Sequence, residues 1–259
     1  MPKFKTKTWP VQKIVGMVRE GLQIKEIAKI YGVERGTVSE FLSRFGLNKE
    51  SVKFNHNFFN NIDNESTAYW FGFMMADGCV YHDNRVCITL QESDYQHLEN
   101  WHKAIDSCLK IRKSFQRFKG KYYPIATTTH CSKIMYNDLV NLGCVPRKSL
   151  KLKFPELPEH LLNHFVRGYF DGDGCASIHA KNKLTPQLSI KILGTYQFLM
   201  SLQKIFGTNN KLYKHGNIYV FGVAGNKKAG KIAKWMYHNA NIYLSRKREV
   251  CNAILQFIV

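Results

Sequence analysis

The chain has 259 residues, 44% of them hydrophobic, with 38 Lys and Arg against 19 Asp and Glu, a formal charge of +19. That apolar content excludes a disordered chain and suffices for two or three modules, while so large a positive charge exceeds what solubility needs and points to a polyanion. Seven cysteines without a Cys-x-x-Cys pair or a signal peptide imply reduced thiols in a cytosol-like compartment, and no apolar run reaches membrane-spanning length.

The first module is expected over residues 1–48. A helix from Val11 to Arg19 precedes a stretch in which Ile27, Tyr31, Val33, Val38 and Phe41 are spaced for two short helices, with Ala28 and Gly32 between them. This resembles a helix-turn-helix of the recombinase and resolvase type. The resemblance implies that a second helix, about Arg35 to Arg44, enters the DNA major groove and presents Arg35, Thr37, Ser39 and Glu40 to base edges.

Residues 49–64 are rich in amides, with Phe54, Phe58 and Phe59 interleaved, and read as a linker. A first half then spans 65–147 and opens on an apolar helix that ends Gly72-Phe73-Met74-Met75-Ala76-Asp77-Gly78-Cys79. Val86, Ile88 and Leu90 alternate with Arg85, Cys87, Thr89 and Gln91, the period of a strand with one inward and one polar face. A second strand pair follows, Ile111 to Phe118 with Lys121 to His130. Its Arg112, Ser114 and Gln116 extend the polar face.

Residues 148–158, proline-bounded and basic, read as an extended linker. The second half, 159–259, repeats the order of elements. Its helix ends Gly168-Tyr169-Phe170-Asp171-Gly172-Asp173-Gly174-Cys175, and Leu188, Ile190 and Ile192 alternate with Gln187, Ser189 and Lys191. A strand pair is expected at Asn210 to Lys214 with Asn217 to Val223. The predicted class is α+β: a pseudo-two-fold duplicated αββαββα core with saddle-shaped antiparallel sheets, plus the small all-α N-terminal module.

Glycine inside a helix costs about 1 kcal/mol, so Gly72 with Ala76, and Gly168 with Gly172, need a return. Small residues four apart let helix backbones approach closely, and the two helices are expected to pack on each other. Asp77 and Asp173 would then lie at helix C-termini, where the dipole disfavours an anion and the two carboxylates repel. The arrangement is wrong for stability and right for Mg2+, which takes few carboxylates and completes its shell with water and phosphate. Asp171-Gly-Asp173-Gly also opens like a calcium loop, but Ala176 and Asn182 stand where that loop needs its glycine-turn and closing acid.

These two segments resemble the LAGLIDADG family, whose motif aligns with Trp70–Gly78 and Val166–Gly174. The first copy departs at Trp70 and Phe71, and has Met75 where the second keeps Asp171. The resemblance implies that Asp77 and Asp173 bind the catalytic metal, Mg2+ with Mn2+ as a substitute; no backbone ligand beside Ala76 is assigned. It also implies a basic residue near each centre, for which Lys148 and Lys247 are the candidates, 71 and 74 residues after their aspartates. Each is equally readable as a phosphate contact or a solvated side chain. The ten histidines are assigned no zinc, and His56, His130 and His164 are read as surface or core polar groups.

The family implies a monomeric homing endonuclease that hydrolyses both strands of a long, non-palindromic DNA duplex. Without splice-junction Cys or His-Asn residues the chain is expected to be free-standing rather than an intein, with an intron as one place for its gene. Bacterial or phage-infected cytoplasm, or an organellar matrix, is the expected location. The alternative is an intron RNA maturase or a transcription regulator on the same scaffold.

Overall fold

The computed structural model describes residues 9–20, 22–45, 47, 53–179 and 186–255, with residues 254 and 255 described by backbone alone. The expected boundary at 48 and the first linker positions, 49–52, lie outside the described residues. Two compact units result: Met1–His56 with Glu99–Ile111, and Asn57–Leu98 with Arg112–Val259.

In the first unit, α1 (Val11–Arg19), α2 (Ile24–Ile30) and α3 (Arg35–Arg44) close on a core of Ile14, Val18, Ile24, Ile27, Ala28, Val38, Phe41 and Leu42. Gln23 and Glu26 form a reciprocal capping box at the start of α2. Gly32, at φ +63°, supplies the left-handed turn between α2 and α3. The unit also takes in residues 99–111, far along the chain. Asn55 N–H donates to Ile105 O at 2.7 Å, Cys108 N–H donates to Lys53 O at 2.9 Å, and Arg19 pairs with Asp106.

In the second unit, α4 (Glu65–Ala76) leads through β1 (Gly78–Val80) and β2 (Arg85–Gln91) to α5 (Tyr95–Ala104), whose last residues belong with the first unit. The chain returns through β3 (Arg112–Phe118), β4 (Lys121–Cys131) and α6 (Lys133–Asn141). The second half repeats this with α7 (Glu159–Asp173), β5 (Gly174–His179), β6 (Gln187–Gly194), α8 (Tyr196–Phe206), β7 (Tyr213–His215), β8 (Ile218–Ala224) and α9 (Asn226–Met236), then adds α10 (Ser245–Leu255). Each half forms a four-stranded antiparallel sheet, ordered β1-β2-β4-β3 and β5-β6-β8-β7. The shared order is the duplication expected from the sequence.

Several local expectations change. Phe58, Phe59 and Ile62, read as linker residues, are buried in this unit, because a chain so rich in phenylalanine recovers more free energy by burial than by hydration. The stretch after α6 is not wholly extended: Lys148–Leu150 form a 3-10 turn. The strand expected from Asn210 begins at Tyr213, since the Asn210 carbonyl accepts from Gln203 and its side chain donates to Gly222 O at 2.7 Å. No described helix is long and apolar enough to cross a membrane.

Candidate active site

Helices α4 and α7 cross where their glycines stand. A Cβ built on Gly72 would lie 2.0 Å from Phe165 O, one on Gly168 1.9 Å from Tyr69 O, and one on Gly172 2.3 Å from Ala76 Cβ. No side chain fits at the first two positions. The crossing carries both C-terminal carboxylates to one place: Asp77 caps α4, its N–H donating to Phe73 O at 3.0 Å, and Asp173 ends α7.

The electrostatics follow from this closeness. Burial pushes the Asp173 carboxyl up to about 6, and the Asp77 charge adds to the rise, against the opposing Lys148 and Lys247. Asp77 is raised as well, first by desolvation, with Lys247, Lys148 and Arg246 opposing. Among the described residues no group of three His, Cys, Asp or Glu side chains is placed to hold a metal. Two mutually repelling carboxylates with open coordination nevertheless suit Mg2+, which keeps most of its shell as water or phosphate oxygen.

Lys148 and Lys247 are both buried. The Lys247 ammonium donates to Phe170 O at 2.8 Å, Asp171 O at 2.6 Å and Gly172 O at 3.1 Å, closing the carbonyl end of α7. Its three donors are thereby engaged. Burial lowers its pKa to about 8. Lys148 donates to Gly78 O. The two lysines therefore act on the aspartates as fixed internal cations.

A polar chain running behind the site was not foreseen. Asp171 accepts from the Tyr69 hydroxyl at 2.7 Å and from Leu244 N–H at 2.8 Å. With its proton so used, Tyr69 accepts from His97 Nε2 at 3.0 Å, which sets the protonated nitrogen of that ring. Arg167, fully buried, donates to Ile242 O, Met236 O and Glu65 at 2.8, 2.8 and 2.7 Å. Glu65 also accepts from Asn241 and Ile242 backbone N–H groups at 2.7 and 3.0 Å. These bonds hold residues 236–244 against both helices, and so fix where α10 begins. Their partners lie up to 177 residues apart, and no local signal announces them.

A cavity of about 440 Å³ opens beside Asp77, lined among others by Thr89, Gln91, Asp94, Gln116 and Arg246. The strand register places Arg85, Thr89, Gln91, Arg112, Ser114 and Gln116 on one face of the first sheet, opposite the face of buried Val86, Ile88 and Leu90. Gln187, Ser189 and Lys191 share a face of the second sheet. Two positions depart from the expected exposed row. Cys87 and Ser189 are 9% and 5% exposed, Cys87 lying between Cys79 and Thr129, and Ser189 between Ser177 and Ala224, on central strands. Ser189 is thus corrected from a surface reader to a buried position. In the first unit Arg35, Ser39 and Glu40 are exposed and Thr37 is half-buried; Glu40 pairs with Arg44 at 2.6 Å.

Contrary to the expectation that no two histidines share a His-x-x-x-His spacing, His160 and His164 stand one turn apart on α7 and line a second cavity with His238. His130 and His164 are otherwise as expected, buried and half-buried.

Two acid-tipped helices packed through glycine, each leading into a sheet of the same strand order, define a duplicated single-chain α+β protein with one shared acidic site. Residues 161–234 match the family model described as a LAGLIDADG-like domain. No curated protein matches the chain. Among solved structures it is similar to the LAGLIDADG meganuclease I-AabMI bound to uncleaved DNA, at 14% identity over 76% of this chain and 91% of that one, with a TM-score of 0.49. It is also similar to the LAGLIDADG homing endonuclease I-GzeII in complex with its DNA target, at 12% identity over 76% and 91%, with a TM-score of 0.48.

Proposed function

We propose that the chain is a monomeric, site-specific DNA endonuclease that hydrolyses both strands of a long, non-palindromic duplex. The observation that carries this reading is the pair Asp77 and Asp173, brought together at the carbonyl ends of two helices and flanked by buried Lys148 and Lys247. Asp77 and Asp173 would hold Mg2+, or Mn2+ in its place. Such an ion supplies Lewis-acid polarisation of a phosphate oxygen and a more acidic bound water. Lys148 and Lys247 keep the carboxylates ionised without leaving the interior. Arg85, Thr89, Gln91, Arg112, Ser114, Gln116, Gln187 and Lys191 would face the duplex from the two sheets. Arg35, Thr37, Ser39 and Glu40 would read a further segment.

Purified protein, given Mg2+ and a library that includes the uninterrupted insertion site of its own gene, is expected to cut a single family of duplex sequences. Asp77→Asn and Asp173→Asn should each lower cleavage by about a thousandfold while duplex affinity stays within a few-fold, because phosphate contacts elsewhere dominate affinity. Cleavage undiminished in either variant overturns the assignment. Splicing assistance to an intron RNA without cleavage of any duplex would replace it with the maturase reading.

A further inference from the structure

The two ends of the acidic site are not chemically alike, and the difference lies in Arg246. Its guanidinium donates from Nε to both Asp94 oxygens at 3.1 Å and from Nη2 to Asp94 Oδ2 at 3.0 Å. Asp94 is buried, 8% exposed, whereas the Arg246 side chain is 57% exposed and lines the cavity beside Asp77. One edge of the guanidinium is therefore locked to protein. The other, Nη1 with the second Nη2 proton, is available to a ligand in that cavity.

Among the described residues nothing equivalent is built at Asp173. Arg147 stands before Lys148 as Arg246 stands before Lys247, but it lies in the left-handed region at φ +55° and precedes a 3-10 turn rather than occupying a helix. The position after β6 that answers to Asp94 is filled by Thr195, which caps α8 by accepting from Phe198 N–H at 3.2 Å and donates to Leu152 O at 2.6 Å. The leading charges on Asp173 are Asp77, Lys148 and Lys247, and Lys247 already has its donors on carbonyls.

We propose that Arg246 is a catalytic residue for one DNA strand only, its outer edge donating to the non-bridging oxygens of the phosphate at the Asp77 end, with Asp94 as its positioning residue. A planar fork fixed on one edge by a carboxylate matches a phosphate on the other. Hydrolysis forms one P–O bond to water and breaks one ester P–O bond, and the water's protons pass to the departing oxygen and to solvent. Arg246 gains and loses no bond or proton; it stabilises charge that grows in the transition state. This inference rests on the endonuclease reading.

The test uses the full chain, Mg2+ and a supercoiled plasmid bearing the cleaved site, with each strand end-labelled. Arg246→Gln should slow one strand by about a hundredfold or more, the order seen when a single transition-state donor is removed. Nicked circles should accumulate, always cut in the same strand, while duplex affinity stays near that of the unmodified chain and the variant remains folded at the assay temperature. Arg246→Lys should recover part of the lost rate, and Asp94→Asn should slow that same strand less severely. If Arg246→Gln proves unfolded, the isosteric Asp94→Asn carries the test. Equal slowing of both strands, or no slowing of either, overturns the proposal. If the unmodified protein cuts no duplex, the endonuclease reading fails instead.

Discussion

His97 sits 3% exposed among the rings of Tyr69, Trp70 and Phe73, donating to the Tyr69 hydroxyl. Burial lowers its pKa from 6.5 to about 4. Between those values the unfolded chain binds more protons than the native one, so this residue makes stability fall as pH drops through that window. Asp171, raised to about 6 chiefly by burial, works in the opposite sense: the native chain holds the extra proton between its ordinary value and about 6. Denaturant titrations from pH 7 to 4.5 should show His97→Gln losing about 1–3 kcal/mol less stability than the unmodified chain. An unchanged difference would mean that His97 is not held neutral. The acids and lysines of the site were legible because each sits in or beside a local pattern. The Met75 and Asp171 difference was legible too, but not its meaning, since Tyr69 and Leu244 reach Asp171 from 102 and 73 residues away.

The elements were the most legible part of the chain. Helices expected at Val11 to Arg19 and about Arg35 to Arg44 are α1 and α3 as observed, α2 was expected without bounds, and period-two alternation located β2 and β6. Glycine at 72 and 168 announced a close crossing because nothing else offsets its cost in a helix. Gly168→Ala is expected to destabilise by at least the 1–3 kcal/mol typical of an overpacked core, since its Cβ would meet backbone, the Tyr69 carbonyl at 1.9 Å, rather than a movable side chain. A urea midpoint within error of the unmodified chain would show that the helices can slide apart at no cost. What alternation could not reveal is depth along a strand. Every residue of β3 is exposed, while Ser189 on the equally polar row of β6 is buried. Coverage by neighbouring strands and side chains decides this, and it is a property of the sheet.

For the whole molecule, charge was legible and partition was not. With +19 spread over the sequence, duplex affinity should fall steeply with salt, with log K against log salt sloping by about −0.9 for each phosphate neutralised. Six or more contacts would cost about a thousandfold between 50 and 200 mM salt; a flat titration would refute phosphate-led binding. The assignment of residues 99–111 to the first unit was hidden, because the Asn55 to Ile105 and Cys108 to Lys53 bonds join segments about fifty residues apart.

The pair of buried Arg167 and half-buried Glu65 also bears on how the two halves match. With Trp70 aligned to Val166, Glu65 falls on Leu161 and Arg167 on Phe71. A homodimer built from two second halves would bury two guanidiniums facing leucine, and one from two first halves would set glutamate against phenylalanine. Removing one partner of a fully buried pair costs about 3–5 kcal/mol; the buried guanidinium left without its carboxylate approaches that cost, and the half-buried glutamate incurs less. Each half is thereby matched to the other and mismatched to its own copy.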